Sequence, residues 1–212
     1  MPAVTALEPD ARGTGGVVVF LDGASFALVA SADAPALGLA AGAELSPAQV
    51  QRVEQRAEVF AARAAALRIL AYRALPSTEI RRRLVRKGYA KPAADEAVGA
   101  LVGSGLISDG EFARHFVRTR ARRFRYGPTR LAKDLRRLGI GPEEAARAVR
   151  DALADEGVEP VELLREAAAR KLATLADLDL ATRRRRLKTY LLRRGFAASD
   201  VISVVKAALA AS

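Results

Sequence analysis

Ile80-Arg81-Arg82-Arg83-Leu84-Val85-Arg86-Lys87-Gly88-Tyr89 recurs as Leu131-Ala132-Lys133-Asp134-Leu135-Arg136-Arg137-Leu138-Gly139-Ile140. It recurs again as Leu187-Lys188-Thr189-Tyr190-Leu191-Leu192-Arg193-Arg194-Gly195-Phe196. Each copy places two apolar residues four apart, on one face of a helix, and then a glycine followed by one more apolar residue. Glycine at that spacing ends a helix in the left-handed conformation. Ten residues beyond each glycine stands a valine, Val98, Val149 or Val205, within alanine-rich sequence. The match therefore extends through a following helix, and the chain reads as a repeated helical unit of roughly 50 residues.

Composition agrees with a mainly α fold: only 5% of the 212 residues are aromatic, and Ala, Leu and Arg dominate. Lys and Arg number 35 against 24 Asp and Glu, a formal charge of +11, which points to a polyanionic partner. Residues 1–60 carry three basic and seven acidic residues, a net of −4, so the rest of the chain carries +15. The chain has no cysteine, which rules out disulfides and thiolate metal sites and suits a reducing cytoplasm. Apolar runs are too short or too charged to span a bilayer, and no membrane partner is expected.

Residues 1–15 mix Pro, Gly, Thr and acidic residues without a period and are expected to be disordered. Val17–Leu21 and Ser25–Val29 flank Asp22-Gly23, a strong hairpin signal, so residues 16–45 are read as a small β-hairpin region. Ser46-Pro47-Ala48-Gln49 starts a long helix with a capping box and proline in the first turn. Three-helix units are predicted over 46–107, 108–157 and 158–212. Pro76-Ser77, Lys91-Pro92, Ser108-Asp109-Gly110-Glu111, Gly127-Pro128 and Gly141-Pro142 restart the chain between helices.

The densest basic sequence lies between Phe112 and Arg137. On a helical projection from Phe112, Arg114, Arg118, Arg122 and Arg125 fall at about 200°, 240°, 280° and 220°, while Phe112, Phe116 and Phe124 fall on the other side. This predicts an outward row of guanidinium groups over buried phenylalanines. On the next helix Arg130, Lys133, Arg136 and Arg137 oppose Leu131, Leu135 and Leu138. Arginine suits phosphate because its planar fork makes paired hydrogen bonds. Arg123, Arg183 and Arg186 join these as candidate contacts, although the run Arg183–Arg186 points around its whole helix. Arg120 projects at about 80°, into the apolar side. Asp109, Glu79 or Glu111 could pair with it there, or its stem could snorkel past the phenylalanines.

Catalytic readings find no support. His115 is the only histidine, no hydroxyl stands beside a base, and no glycine-rich phosphate loop occurs. Asp177 with Asp179, and Asp95 with Glu96, read as helix caps or dipole partners rather than ligands. No enzyme activity, cofactor or metal is expected.

Leu70–Leu84 (LAYRALPSTEIRRRL), Lys87-Gly88-Tyr89, Gly105–Ala113 (GLISDGEFA), Gly127-Pro128-x-Arg130 and Arg193-Arg194-Gly195-Phe196 together resemble the RecX family, regulatory proteins of the RecA recombinase. The resemblance covers about residues 60–210; Ser77, Leu84, Gly88, Asp109, Phe112, Gly127, Gly195 and Phe196 of its motifs, together with Leu135 and Gly139 of the repeat and Arg120 on the apolar side of its helix, are read as structural positions. It implies an elongated, curved array of tandem three-helix repeats that lodges in the groove of the RecA–DNA filament. It also implies inhibition of strand exchange, ATPase and coprotease activity, a place in DNA recombination, repair and the SOS response, and binding of single- and double-stranded DNA by a cytoplasmic monomer. From charge and capped helices alone, a helix-turn-helix-like transcriptional regulator is the alternative.

Overall fold

Each repeat of the glycine-ended segment closes a helix in the same way in the computed structural model, which describes residues 1–210. Helix α2 (Ser77–Arg86), α5 (Pro128–Arg137) and α8 (Leu180–Arg193) are followed by Gly88, Gly139 and Gly195 at φ +98°, +92° and +84°. The glycine N–H donates to Val85, Arg136 or Leu192 O. The next residue's N–H donates to Leu84, Leu135 or Leu191 O at 3.2, 3.2 and 3.5 Å. Two orphan carbonyls of the last turn are thereby satisfied. The leucine whose carbonyl accepts the second bond is in every copy fully buried, as is its partner four residues earlier, Ile80, Leu131 or Leu187.

The residue after the glycine starts the next segment inward: Ile140 and Phe196 are buried and Tyr89 packs on its core. Helices α3 (Lys91–Gly103), α6 (Pro142–Asp155) and α9 (Ala198–Ala210) then return, burying Val98, Val149 and Val205 among alanines. Helices α1 (Pro47–Tyr72), α4 (Asp109–Phe124) and α7 (Pro160–Ala173) complete the three triplets. Ala211 and Ser212, the end of the third predicted unit, lie outside the described residues.

The chain divides into two compact units, with the boundary between Ile107 and Ser108. In the first, helix α1 serves two cores. At its start Ser46 forms the expected capping box with Gln49. Val53 packs on a three-stranded antiparallel sheet of β1 (Val4–Pro9), β2 (Gly16–Leu21) and β3 (Ala24–Ala30), against Val4, Val19, Val29, Leu39 and Leu45. Twenty-six residues make α1 about 39 Å long, enough to reach a second core where Ala62, Ala65 and Ala66 meet α2 and α3. In the second unit α4 to α9 enclose one continuous core.

The hairpin at Asp22-Gly23 forms with both residues at positive φ, +49° and +81°, the turn whose twist matches paired strands. The disordered N-terminus expected from composition is corrected. Residues 4–9 form β1, which pairs with β2 from Val4↔Leu21 to Pro9↔Val17. Its alternation is carried by weakly apolar residues, with only Val4 fully buried, and two prolines and a glycine-rich turn hide that signal. The loop at 31–45, beginning with a 3-10 turn at Ser31–Asp33, crosses to α1 and ties back through the Ala3↔Glu44 bridge.

Glu79, inside α2, is nearly buried yet ionised. Burial raises its pKa, but the hydrogen bond from Arg83 (2.8 Å) and the charges of Arg82, Arg83 and Arg86 outweigh that and hold it below the ordinary 4.5. Because the folded value is the lower one, the stabilisation is present above about pH 4.5 and is lost as pH falls through the folded value. Acid unfolding of the wild-type protein is therefore expected to steepen below pH 4.5, and Glu79→Gln to flatten that dependence in a pH series of thermal melts. Leu84→Ala or Leu135→Ala is expected to cost about 2–5 kcal/mol in denaturant unfolding. Gly88→Ala, where a methyl group meets no atom within 4 Å, should cost only the left-handed backbone, about 1–2 kcal/mol.

Candidate nucleic-acid interface

Helix α4 begins at Ser108, whose Oγ accepts the Glu111 N–H at 3.2 Å, and buries Ala113, Val117 and Ala121. Phe112 and Phe116 lie half-buried beside that stripe, 6.0 Å apart between ring centres. Arg114, Arg118 and Arg122 face outward, as their spacing predicts. The row is not free, however. Arg118 Nε lies 2.6 Å from Glu156 Oε1, Arg122 pairs with the same carboxylate, and Arg125 Nε lies 2.8 Å from Glu166 Oε2. Glu156 caps the end of α6 and Glu166 belongs to α7, so these arginines tie α4 to its neighbours. Arg125 also leaves the helix: it is the C-cap residue at φ +51°, ψ +48°, so the projection angle assigned to it does not apply. Phe124, expected to be buried, is the last helical residue, remains 38% exposed and stacks on Tyr126.

Arg120 takes the course of the snorkelling alternative: its side chain is 39% exposed and its guanidinium sits 4.3 Å over the Phe116 ring, and it also lies 4.0 Å from the Asp134 carboxylate, a partner not anticipated from the sequence. Asp134 stands within 4.0 Å of three guanidinium groups, those of Arg120, Arg130 (3.6 Å) and Arg137 (3.8 Å). One helix turn of α5 thus supplies the counter-ion for both α4 and α5.

Arg130 joins a junction between the second and third triplets. Its guanidinium covers the Tyr126 ring at 4.4 Å and donates to Arg193 O at 3.1 Å. Arg194 covers Tyr126 and Tyr190 at 5.2 and 4.7 Å and donates to Phe124 O. Gly127 N–H donates to Arg194 O at 2.8 Å, and Thr129 N–H to Gly195 O at 3.2 Å. The backbones meet so closely that a Cβ on Gly127 would overlap the Gly195 carbonyl and fall 2.8 Å from Phe196. A Cβ on Gly195 would overlap the Arg130 backbone. Nothing in the sequence announces this contact, since its halves stand 68 residues apart.

The cations of the second unit that carry no ion pair among the described residues include Arg114 and Arg123 of α4 and Lys133 and Arg136 of α5. Arg137 is two-thirds exposed and held only at 3.8 Å. Lys133, Arg136 and Arg137 share one face of α5, turned away from Leu131 and Leu135. The second unit holds 23 Lys and Arg against 14 Asp and Glu. In α8, Arg183 points inward, with Nε buried and lacking a hydrogen-bond partner, whereas Arg184, Arg185 and Arg186 are exposed. The run surrounds its helix, as consecutive residues must. Asp179 caps α8, accepting the Thr182 N–H at 2.9 Å, and its carboxyl is held below the usual range by that bond. No cluster of metal-ligating side chains occurs among the described residues.

Comparison with known proteins accounts for the triplets. The family model described as RecX, first three-helix domain, matches residues 62–101; the second matches 108–149 and the third 158–205. A regulatory protein RecX of Pelodictyon phaeoclathratiforme is 30% identical over 141 residues, covering 66% of this chain and 84% of that protein. One from Chlorobium limicola is 36% identical over 135 residues, covering 64% and 81%. A crystal structure of regulatory protein RecX superposes with a TM-score of 0.80 at 24% identity, over 97% of this chain and 99% of that one, which shows a shared fold.

Gly127 and Gly141 are N-cap residues of successive helices, each followed by proline, but only Gly127 is hemmed in. Gly127→Ala is expected to destabilise the protein by about 1–3 kcal/mol through overpacking. Gly141→Ala should cost less than about 1 kcal/mol. Equal shifts in denaturant midpoint would remove the junction from its assigned role.

Proposed function

The chain belongs to the RecX family of regulatory proteins, and from this we propose that it regulates the RecA recombinase, mainly as an inhibitor that binds the RecA–DNA filament in its groove. It acts without chemistry of its own, limiting strand exchange, ATP hydrolysis and coprotease activity, as a cytoplasmic monomer. Among the described residues no helix is long and apolar enough to cross a membrane.

The observation that carries the DNA-binding part of this reading is the exposed, weakly paired cationic face of α5. A phosphate reaching Arg118, Arg122 or Arg125 must first displace Glu156 or Glu166, so those arginines are engaged within the fold. Lys133, Arg136 and Arg137 have little or no internal partner to give up, and Arg114 and Arg123 add to them. Uncompensated charge of this kind lowers its own repulsion by taking up a polyanion and releasing its counterions. The exposed side chains of this face are Lys and Arg rather than Asn or Gln, which fits backbone contact rather than base reading.

The test is the rate of ATP hydrolysis by RecA on single-stranded DNA as the protein is added in substoichiometric steps. Loss of hydrolysis that excess DNA does not restore is expected, and no effect beside salt-sensitive DNA binding would overturn filament regulation. For the interface, replacing Lys133, Arg136 and Arg137 together by Ala should lower the slope of log affinity against log salt by about 2–3, one released counterion for each lost contact. The triple change Arg118→Ala, Arg122→Ala, Arg125→Ala should lower it less. The reverse order would return the interface to α4.

A further inference from the structure

Tyr72 ends helix α1 with 91% of its surface exposed, an aromatic ring left in water beside a pocket of about 690 Å³. The pocket lies between the C-terminal parts of α1 and α2 and is lined by Tyr72 and Tyr89 with four cations, Arg68, Arg73, Arg83 and Lys87, and by no acidic residue. Arg83 is committed to Glu79 at 2.8 Å. Arg68, Arg73 and Lys87 carry no ion pair among the described residues. Among the described residues no cation or second ring lies over either tyrosine, whereas Tyr126 and Tyr190 in the second unit are both covered by guanidinium groups. The first unit as a whole is close to neutral, with 12 basic and 10 acidic residues, so this concentration of cations is local.

We infer that the first unit carries a binding subsite of its own for single-stranded nucleic acid in this pocket. Concave walls lined by one sign of charge focus a positive potential on their interior, which collects phosphates. Open tyrosine faces offer bases a stacking surface that any base can use. The two features together distinguish the ligand. Duplex DNA satisfies the cations but hides its base faces inside the stack, and an acidic protein segment leaves the rings unused. A single strand engages both. The subsite is separate from the α5 face, and its existence does not depend on that face binding DNA.

The protein contains no tryptophan and four tyrosines, of which two line the pocket, so its intrinsic emission reports on stacking there. Oligodeoxythymidine and a duplex of equal length are titrated against the wild-type chain and against the variant lacking Lys133, Arg136 and Arg137. Oligodeoxythymidine should quench tyrosine emission in both. Tyr72→Ala, made in each background, should weaken its binding by about 5- to 150-fold, the worth of stacking one base. Tyr72→Phe should restore it, and duplex affinity should stay within about twofold. The exposure of Tyr72 means that the substitution leaves folding intact, which a thermal melt checks. Unchanged oligodeoxythymidine affinity in Tyr72→Ala overturns the subsite, and so does an equal loss for single strand and duplex. Polyglutamate that binds as tightly as the oligonucleotide and loses affinity on Tyr72→Ala would assign the pocket to an acidic protein segment and overturn the inference.

Discussion

Helices α2, α5 and α8 each end by turning one glycine into the left-handed region and folding the next amide back onto the carbonyl of a buried leucine. That hydrogen bond couples three things which are separate in most helix ends. It satisfies the last turn, it directs the chain sharply back toward the core, and it requires the leucine to lie at the point where the following helix will pack. Once the exit direction is set, the next apolar residue must enter the core, and the alanine-rich helix that follows must cross the leucine pair closely. Small side chains at Ala94, Ala97, Ala145, Ala148 and Ala152 permit that approach. The triplet is thus a consequence of one turn, repeated.

Charge is arranged around this frame by a few nearly buried carboxylates. Glu79, Asp134 and Glu156 each face two or three guanidinium groups, so each acidic residue organises several arginines on neighbouring turns. The arginines gain fixed positions, and the carboxylates gain counter-charges that offset the cost of burying them. The effect is to sort a large cationic excess into two populations. Arg118, Arg122, Arg125 and Arg130 hold helices together, while Lys133, Arg136, Arg68, Arg73 and Lys87 carry no ion pair among the described residues. A count of basic residues does not distinguish the two populations, because an arginine in an ion pair and one facing water look alike in sequence.

The junction of Gly127 with Gly195 shows the same division between what is local and what is not. Gly127-Pro128 reads as a helix start and Gly195 as a helix stop, and both readings hold in the structure. Their second role, allowing two backbones to touch beneath Arg130, Arg194 and Tyr126, comes from packing between two triplets. Arg130, a candidate DNA contact in the sequence, is also part of the frame of the second unit. Phe124 makes the opposite move, from a core expectation to a half-exposed stacking position, because the helix stops at it and no further turn covers it.

Most helix starts, the Asp22-Gly23 hairpin, the three glycine turns and most of the buried faces were legible in the sequence, because capping, left-handed glycine and the 3.6-residue period act over fewer than ten residues; the end of α4 at Phe124 and Arg125 was not. The family resemblance was legible for the same reason, since its motifs are these boundaries in a fixed order. Strand β1 was not, because a single edge strand with one fully buried residue owes its order to the partner it pairs with rather than to its own pattern. Nor were the ion pairs of Arg118, Arg120, Arg122 and Arg125, whose carboxylates lie 14 to 41 residues further along the chain. The sequence by itself determined the repeat and its secondary structure. Only the tertiary structure decided which cations are paired within the fold and which are not, because pairing depends on distances between helices that local rules do not set.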